Sequence, residues 1–412
     1  MKLYDIKLLT QALLSGKTKV VLFGAGRWGK VALYSLLQRN VTVSYFCDSD
    51  VLKQGTQFCG VEVISPEKLA ELGAETHVFV SCNYILPVLS ALKAIHFTNV
   101  YNCISLFEHT DFTNAETGVP LREIPVMMER HKAACMVIEA NKDPHLIIRG
   151  MDLMVTEACT MKCKDCSNLM PYYLKPKNED PEVLLKAFEV LSKCVDRFLE
   201  VRLLGGEPFM NKRIHEIVNK LVTYPHVEKI AIFTNATIIP KDENLSCLKH
   251  PKVFLDITHY GVLSKNHDPL VRVLDETGIN YTTHSPHTWT DSAKIEYREK
   301  SEKQLKDMFE RCCVNDVLTL LHGKLYRCPF SANAMNLNAI PQVSDDFIDL
   351  AVEDLDLNRT RAQVRYLYTG RSYISACSFC NGRDYTVATV EPGVQTKTHL
   401  PYQAFTPTAS ES

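Results

Sequence analysis

Apolar strand-like runs alternate with amphipathic helical segments through the middle of the chain, and this alternation restricts the folds open to it. Residues 148–155, 198–204 and 229–233 predict strands. Between them lie helical patterns, the first of which starts at Asp180-Pro181, a favourable helix N-terminus. Since strands in such a repeat run in the same direction, the sequence predicts an α/β fold with a parallel sheet and helices outside it.

Three cysteines follow the first of these strands in the spacing C-x3-C-x2-C, and they are Cys159, Cys163 and Cys166. A cluster that only carries electrons normally takes four cysteines, so three of them leave one iron of a [4Fe-4S] cluster open to a substrate. The alternative is a zinc site, which usually needs a fourth Cys or His at short spacing. No such residue lies immediately beyond Cys166, so the triad favours the cluster.

Three later strands end in motifs that contain glycine or polar residues and read Gly-Gly-Glu, Thr-Asn and His-Tyr. The residues are Gly205, Gly206, Glu207, Thr234, Asn235, His259 and Tyr260. Glycine lets a backbone approach a ligand closely, and a carboxylate can accept a hydrogen bond from an ammonium group. Because the carboxyl ends of parallel strands carry the site in barrels, we expect these motifs to lie near the triad.

In this order and spacing, the triad and the motifs resemble those of the radical S-adenosylmethionine (radical SAM) enzymes, over about residues 148–385. The resemblance implies a partial (β/α)6 barrel over residues 148–310, with SAM bound to the open iron and to the Gly-Gly-Glu and Thr-Asn motifs. It also implies reductive cleavage of SAM to a 5'-deoxyadenosyl radical. His259 and Tyr260 are candidate catalytic residues, and Tyr172 and Tyr173 either touch the substrate or line the pocket.

A second set of cysteines lies in residues 311–385 and comprises Cys312, Cys313, Cys328, Cys377 and Cys380. Turn chemistry at His322-Gly323 predicts a hairpin just before Cys328. Four thiolate ligands would leave no open coordination position on a bound metal centre. Structural zinc is the commoner use of such cysteine spacing in general. Behind a radical SAM core, the set resembles the twitch form of the SPASM-type auxiliary domain, which implies a second [4Fe-4S] cluster. The resemblance favours Cys312 as the first ligand, because Phe309 stands three residues before it as in related sequences, and Cys313 stays open.

Residues 1–110 contain a predicted first helix and then a different glycine motif, G-x-G-x-x-G, at Gly24, Gly26 and Gly29 between a strand and a helix. Asp48 follows the next strand, as a dinucleotide-binding βαβ unit requires. We therefore expect a Rossmann-like domain. Its ligand could be NAD, another nucleotide, a nucleotide-sugar, coenzyme A or none, because a fold alone does not decide function. Residues 111–147 are predicted to be a linker and residues 386–412 a C-terminal tail.

Composition limits the cellular context and the partners. Fifteen cysteines, an odd number, favour a reducing compartment, so we expect the cytoplasm. A net charge of −2 gives no field that attracts nucleic acid or anionic lipid. No apolar run approaches the roughly 18 residues of a membrane span, and the first residues lack the apolar core of a secretory signal.

The combined features predict an oxidoreductase or epimerase that removes a hydrogen atom from a sugar or nucleotide-linked sugar, in surface-glycan or related carbohydrate biosynthesis. The resemblance implies a flavodoxin or ferredoxin-type electron donor. One alternative is a peptide maturase, since SPASM-type domains are common in that class. A further alternative is a non-enzymatic iron-sulfur regulatory protein, although such a protein would not need the SAM motifs.

Overall fold

The structure, a computed structural model, describes residues 4, 18–73, 75–82, 85–113, 115, 117–140, 145–384 and 386–405. Contacts divide the chain into two compact units, Met1–Lys142 and Asp143–Ser412. The helix expected at the start of the chain lies outside the described residues. Among the helices that are described, none is both long and apolar enough to cross a lipid bilayer.

The first unit is built on a six-stranded sheet. Its strands are β1 Val20–Phe23, β2 Tyr45–Cys47, β3 Gln57–Phe58, β4 Val61–Ile64, β5 His77–Val80 and β6 Val100–Tyr101. The order is β3-β4-β2-β1-β5-β6, and every pair is parallel except β3 with β4. The order reverses at β1, so the loops after β1 and β5 leave the same sheet edge in opposite directions.

In the part of this unit that the structure describes, the helices are α1 Arg27–Leu37, α2 Pro66–Ala70, α3 Ile85–Ala94, α4 Ile104–Glu108 and α5 Ile124–Ala140. The last helix, α5, lies within residues 111–147, where we expected a linker. Residues 114, 116 and 141–144 of this segment are not described. Pro120 and Pro125 suggested a linker, but they lie before and within the first turn of α5, where a helix tolerates proline. Met127 and Cys135 of α5 are buried, so this segment contributes to a core.

The second unit contains a larger, mixed sheet. The strands of the unit are β7 Ile147–Thr156, β8 Arg197–Gly205, β9 Val227–Thr234, β10 Val253–Thr258, β11 Tyr281–His284, β12 Trp289–Thr290, β13 Val317–Leu321, β14 Lys324–Tyr326, β15 Phe347–Asp349 and β16 Thr389–Val390. The eight-stranded order is β11-β10-β9-β8-β7-β13-β14-β15, parallel from β11 to β13. The predicted α/β fold with a parallel sheet is confirmed.

The hairpin expected before Cys328 is confirmed, since β13 and β14 pair antiparallel. However, β13 also pairs parallel with β7, so the second cysteine segment begins inside the main sheet rather than in a sheet of its own. All five side chains of β13 are buried, which requires covering layers on both faces of the strand. The division of this unit at residue 310 stays a prediction.

The described helices of this unit are α6 Pro181–Cys194, α7 Ile214–Leu221, α8 Asp242–Ser246, α9 His267–Thr277, α10 Glu302–Arg311, α11 Pro329–Asn336 and α12 Leu357–Arg365. Of these, α6, α7, α9 and α12 contribute to the core on one face of the large sheet. Because successive strand residues alternate between faces, Met151 and Leu153 pack in the helix-covered core, whereas Asp152 points to the opposite face. There Asp152 pairs with Arg202, its neighbour on β8. This opposite face is therefore the more polar one, although Asp152 is buried there as well.

Candidate iron-sulfur and cofactor site

The three cysteines of the triad lie together on the loop that follows β7. The Cys166 N–H donates to the Cys163 carbonyl at 3.2 Å, and the Met161 N–H donates to the Cys159 sulfur at 3.4 Å. Burial raises the pKa of the Cys163 thiol to about 11. Such burial argues against the interpretation of Cys163 as an exposed, reactive cysteine.

The Gly-Gly-Glu motif packs directly on this loop. The Gly206 N–H donates to the Thr156 carbonyl at 3.0 Å, and the Glu207 N–H donates to the Ala158 carbonyl at 2.9 Å. A Cβ on Gly206 would lie 2.0 Å from the Ala158 oxygen, and one on Gly205 would lie 2.1 Å from the Thr156 oxygen. Two protein backbones therefore approach each other closely here, and this leaves no room for a side chain at Gly205 or Gly206. The same contact fixes the triad loop against the end of β8.

Glu207 lies beneath the motif, with a side chain that is 0% exposed. Its carboxylate accepts hydrogen bonds from the Thr234 hydroxyl at 2.9 and 3.0 Å and from the Asn235 N–H at 2.9 Å. Burial raises the pKa of Glu207 to about 7. Glu207 thus ties the end of β9 to the end of β8, and its contact with an ammonium group of SAM stays a prediction.

Asn235 completes the connection between the strand ends and the triad. Its side-chain Nδ2 donates to the Cys159 sulfur at 3.7 Å and to the Thr160 hydroxyl at 3.3 Å. The structure therefore brings the Gly-Gly-Glu motif, the Thr-Asn motif and the triad together at one edge of the sheet. This arrangement is the one expected for strand ends that share a ligand.

The two candidate catalytic residues have different surroundings. Burial and then the charges of the triad cysteines raise the pKa of Tyr260 well above its usual value, so its ring lies within electrostatic range of the triad. The Tyr260 ring packs edge-on against Trp289 with centroids 5.7 Å apart. His259 instead stacks on His267 of α9 at 4.1 Å. Catalytic roles for both residues stay predictions.

The two tyrosines at the end of the loop have structural contacts. The Tyr172 hydroxyl donates to the Ala293 carbonyl at 3.1 Å, and the Tyr173 hydroxyl donates to Asn333 Oδ1 at 2.8 Å. Both side chains are buried. Both hydroxyl groups therefore have protein partners, and the roles expected for these tyrosines at the substrate pocket stay predictions.

The segment expected to be a C-terminal tail crosses the triad loop. Its β16 pairs antiparallel with β12, and Gln395 forms an antiparallel bridge with Cys163. Gln395 Nε2 donates to the Cys163 sulfur at 3.2 Å, while its Oε1 accepts from the Lys162 N–H at 2.7 Å. Sequence reasoning missed this contact because more than 200 residues separate its partners. Residues 406–412 lie outside the described part of the chain.

The second cysteine set surrounds a separate apolar cavity. Cys312, Cys328, Cys377 and Cys380 line this cavity. Cys313 does not line it, and its N–H donates to the Arg383 carbonyl at 3.1 Å. The geometry thus distinguishes the two adjacent cysteines that the sequence left open, although their ligand roles stay a prediction.

Backbone donors and a helix N-terminus face the sulfur atoms of this set. Cys328 is the N-cap of α11, and its sulfur accepts the Ser331 N–H at 3.4 Å. The Cys380 sulfur accepts the Gly382 N–H at 3.3 Å. Such donors and the positive end of a helix stabilise a thiolate, which is the form that binds metal.

Two observations test whether the thiols suit an iron-sulfur cluster. Within the described residues, no group of three or more His, Cys, Asp or Glu side chains is arranged to hold a single metal ion. Tetrahedral zinc at about 2.3 Å from each sulfur would require sulfur atoms about 3.8 Å apart. Neither the thiols of this set nor those of the triad are arranged in that way in the described residues, so the kind of metal centre at this set stays a prediction.

Charge around the cavity favours an anionic metal centre, whether zinc or an iron-sulfur cluster. Arg327 is 1% exposed and Arg383 is 9% exposed, and in the described parts of the chain neither forms an ion pair with a carboxylate. A buried cation is costly unless an anion compensates it. Four thiolates around a metal cluster would supply that negative charge.

The glycine motif of the first unit has mainly structural contacts. A Cβ on Gly29 would lie 2.2 Å from the Gly24 carbonyl oxygen, whereas one on Gly26 would meet open space. Asp48 Oδ2 accepts the Ala25 N–H at 2.8 Å, so this carboxylate fixes the turn between β1 and α1. Nucleotide binding by these residues, including contact of Asp48 with a ribose, stays a prediction.

Comparison with known families defines the class of the second unit. The Radical SAM superfamily model matches residues 153–321, the stretch that contains the triad and the Gly-Gly-Glu and Thr-Asn motifs. The chain therefore contains a radical SAM domain, a class whose cofactors are a [4Fe-4S] cluster and SAM.

Individual relatives match smaller parts. The chain is 29% identical over 129 residues to GTP 3',8-cyclase from Clostridium acetobutylicum, which covers 30% of this chain and 40% of that protein. It is 32% identical over 95 residues to GTP 3',8-cyclase from Stenotrophomonas maltophilia, covering 22% of this chain and 27% of that protein. The crystal structure of BtrN in complex with AdoMet and 2-DOIA is 16% identical with a TM-score of 0.35, over 62% of this chain and 98% of that one. The chain thus spans less than half of the length of these cyclases.

A histidine on the β13–β14 turn connects to the triad loop through two buried carboxylates. His322 Nε2 lies 2.9 Å from Glu157 Oε1, and His322 Nδ1 lies 2.6 Å from Glu179 Oε2. Hydrogen bonds to Glu157 and Glu179 raise the pKa of His322 to about 9. Glu157 stands two residues before Cys159, so this cationic bridge fixes the start of the loop.

We expect His322→Gln to destabilise the protein more at pH 6 than at pH 9.5. The folded-state pKa of His322 lies above the usual unfolded value of about 6.5. The stabilisation is therefore complete below about pH 6.5 and is lost as the pH rises through about 9. Urea unfolding of both proteins at several pH values measures the difference, with the exposed His287→Gln as the control. A difference that does not change with pH would contradict the ionic bridge.

Proposed function

We propose that the second unit is a radical SAM enzyme with two [4Fe-4S] clusters. The cluster with the open iron is held by Cys159, Cys163 and Cys166. The auxiliary cluster is held by Cys312, Cys328, Cys377 and Cys380. The observation that carries the proposal is the presence of two separate thiol sets in one unit, the first enclosed by the SAM motifs and the second beside buried, uncompensated arginines.

When bound, the first cluster and SAM would supply a 5'-deoxyadenosyl radical that removes a hydrogen atom from the substrate. The chain's own residues would orient the reactants and limit access by water. Glu207 holds Thr234 and Asn235 beside the triad. Gln395 covers the outer side of Cys163. Rigid support of this kind is needed to hold reacting groups in one geometry.

The proposed substrate is a sugar, a nucleotide or a nucleotide-linked sugar, and the outcome is dehydrogenation or epimerisation. The polar face of the sheet supports a hydroxyl-rich substrate, because its buried carboxylates Asp152 and Asp256 pair with Arg202 and with the exposed His284. Charged and polar groups of this kind bind hydroxyl and phosphate groups. The name of the cyclase relatives, which contains GTP, agrees with a nucleotide-type substrate for this chain.

The first unit is proposed to bind a nucleotide, a nucleotide-sugar or coenzyme A, with NAD as the less favoured ligand. The reversal of strand order at β1 supports this role, since such switch points form ligand crevices. Thermal-shift measurements with nucleotide-sugars, GTP, NAD and coenzyme A test it. Stabilisation by NAD alone, or by none of them, would contradict the proposal.

We expect anaerobically reconstituted protein to contain about eight iron atoms per chain, as two [4Fe-4S] clusters require, and to form 5'-deoxyadenosine from SAM with dithionite. Cys312→Ala should lower the iron content to about four atoms, whereas Cys313→Ala should leave about eight. We expect the iron contents of the two variants to differ because, of these two adjacent cysteines, Cys312 lines the cavity and Cys313 does not. Zinc in the second site, or iron loss in the Cys313 variant alone, would contradict the assignment. Cleavage that depends on a peptide instead of a sugar or nucleotide would favour a maturase.

A further inference from the structure

Arg383 lies between the two thiol sets of the second unit. Its side-chain Nη2 donates to the carbonyl of Ser167 at 2.6 Å, and Ser167 directly follows Cys166 of the triad. Arg383 also lines the cavity that Cys312 and Cys328 surround. One buried side chain thus contacts the segment of the first site and the wall of the second.

The charge of Arg383, like that of Arg327, has no carboxylate partner among the described residues, whereas Arg371 and Arg311 each have one. Arg371 pairs with Asp346, and Arg311 pairs with Asp384 at 3.1 Å. Arg383 lines the cavity of Cys312, Cys328, Cys377 and Cys380, so the thiolates of a bound cluster would be the anions that compensate this cation.

We propose that Arg383 is a positioning residue that serves both sites as a shared counter-charge and so raises the reduction potential of both clusters. The inference rests on the proposed function, because it requires clusters at both thiol sets. Each cluster gains one negative charge when it accepts an electron from a low-potential donor. A fixed cation in a low-dielectric interior stabilises that added charge. Since the same guanidinium faces both sites, its removal affects both potentials in the same direction.

The test is a potentiometric titration of the full-length, anaerobically reconstituted protein, followed by EPR, with SAM added to identify the triad cluster. In Arg383→Met both midpoint potentials are expected to fall. The reduced-to-oxidised ratio at a fixed potential should change about tenfold, which is about 59 mV for a one-electron couple. Arg383→Lys keeps the charge and should retain most of the potential. Arg213→Met, the same change at an exposed arginine on the N-terminal side of α7, is the control.

A second measurement compares the metal-free proteins. An uncompensated buried cation is destabilising, so Arg383→Met without iron should be at least as stable to urea as the unmodified protein. Lower stability of the metal-free variant would show an ordinary structural role and overturn the proposal. Unchanged potentials, or a change at only one cluster, would also overturn it. Failure of the unmodified protein to assemble clusters would refute the proposed function instead, and the metal-free comparison would still decide whether Arg383 is uncompensated.

Discussion

Replacing Gly206 with alanine is expected to destabilise the second unit by about 3 kcal/mol and to prevent cluster assembly at the triad. The new Cβ would lie 2.0 Å from the Ala158 oxygen and 2.9 Å from the Cys159 nitrogen. Both are backbone atoms, so the clash can be relieved only by moving the triad loop away from β8. Overpacking of this kind costs about 1–3 kcal/mol and occasionally more.

Urea unfolding and iron content after reconstitution measure this effect. Gly278→Ala is the matched control, because Gly278 has a φ of +66° and a Cβ added there would meet no atom within 4 Å. Its cost is the left-handed backbone alone, about 1–2 kcal/mol, with full iron content. If Gly206→Ala bound as much iron as the unmodified protein, the packing of β8 on the loop would not be what fixes the triad.

Asp346→Ala is expected to destabilise the second unit by about 3 kcal/mol and to remove iron from the auxiliary site only. Asp346 is 0% exposed and accepts hydrogen bonds from Arg371 at 2.5 Å and from the Ser375 N–H at 2.7 Å. Removing one partner of a buried ion pair leaves the other charge uncompensated, which typically costs about 3–5 kcal/mol. Ser375 lies two residues before Cys377, so the loss also frees the segment that carries two of the thiols.

Thermal unfolding and iron analysis check this prediction, with the exposed neighbour Asp345→Ala as the control. The control should retain both its unfolding temperature and its iron content. Loss of iron from the triad rather than from the auxiliary site would contradict the role assigned to Asp346, because its hydrogen bonds reach only the segment before Cys377.

Much of the radical SAM domain could be predicted because its signals are local in the sequence. The triad occupies one short loop, and each SAM motif directly follows the strand that positions it. The alternation of strands and helices predicted the parallel sheet for the same reason. Proline misled the interpretation of residues 111–147, since proline at a helix N-terminus and proline in a linker look alike without the neighbouring structure.

The contacts that define the electrostatics of the site had no comparable signal. Gln395 reaches Cys163 across 232 positions, and Arg383 reaches Ser167 across 216. A lone glutamine or arginine in a polar segment resembles any exposed residue. Likewise, the pairing of β13 with β7 depends on which strands meet, and the apolar pattern of β13 alone does not specify its neighbour.

The sequence by itself determined the type of domain and predicted the candidate site residues that it presents, because cysteine spacing and strand-end motifs act over a few neighbouring positions. Only the tertiary structure decided that Cys312 rather than Cys313 lines the auxiliary cavity, that the C-terminal segment covers the triad and that Arg383 lies between the two sites. These features arise from packing between segments far apart in the chain, and burial and charge compensation exist only once those segments have met.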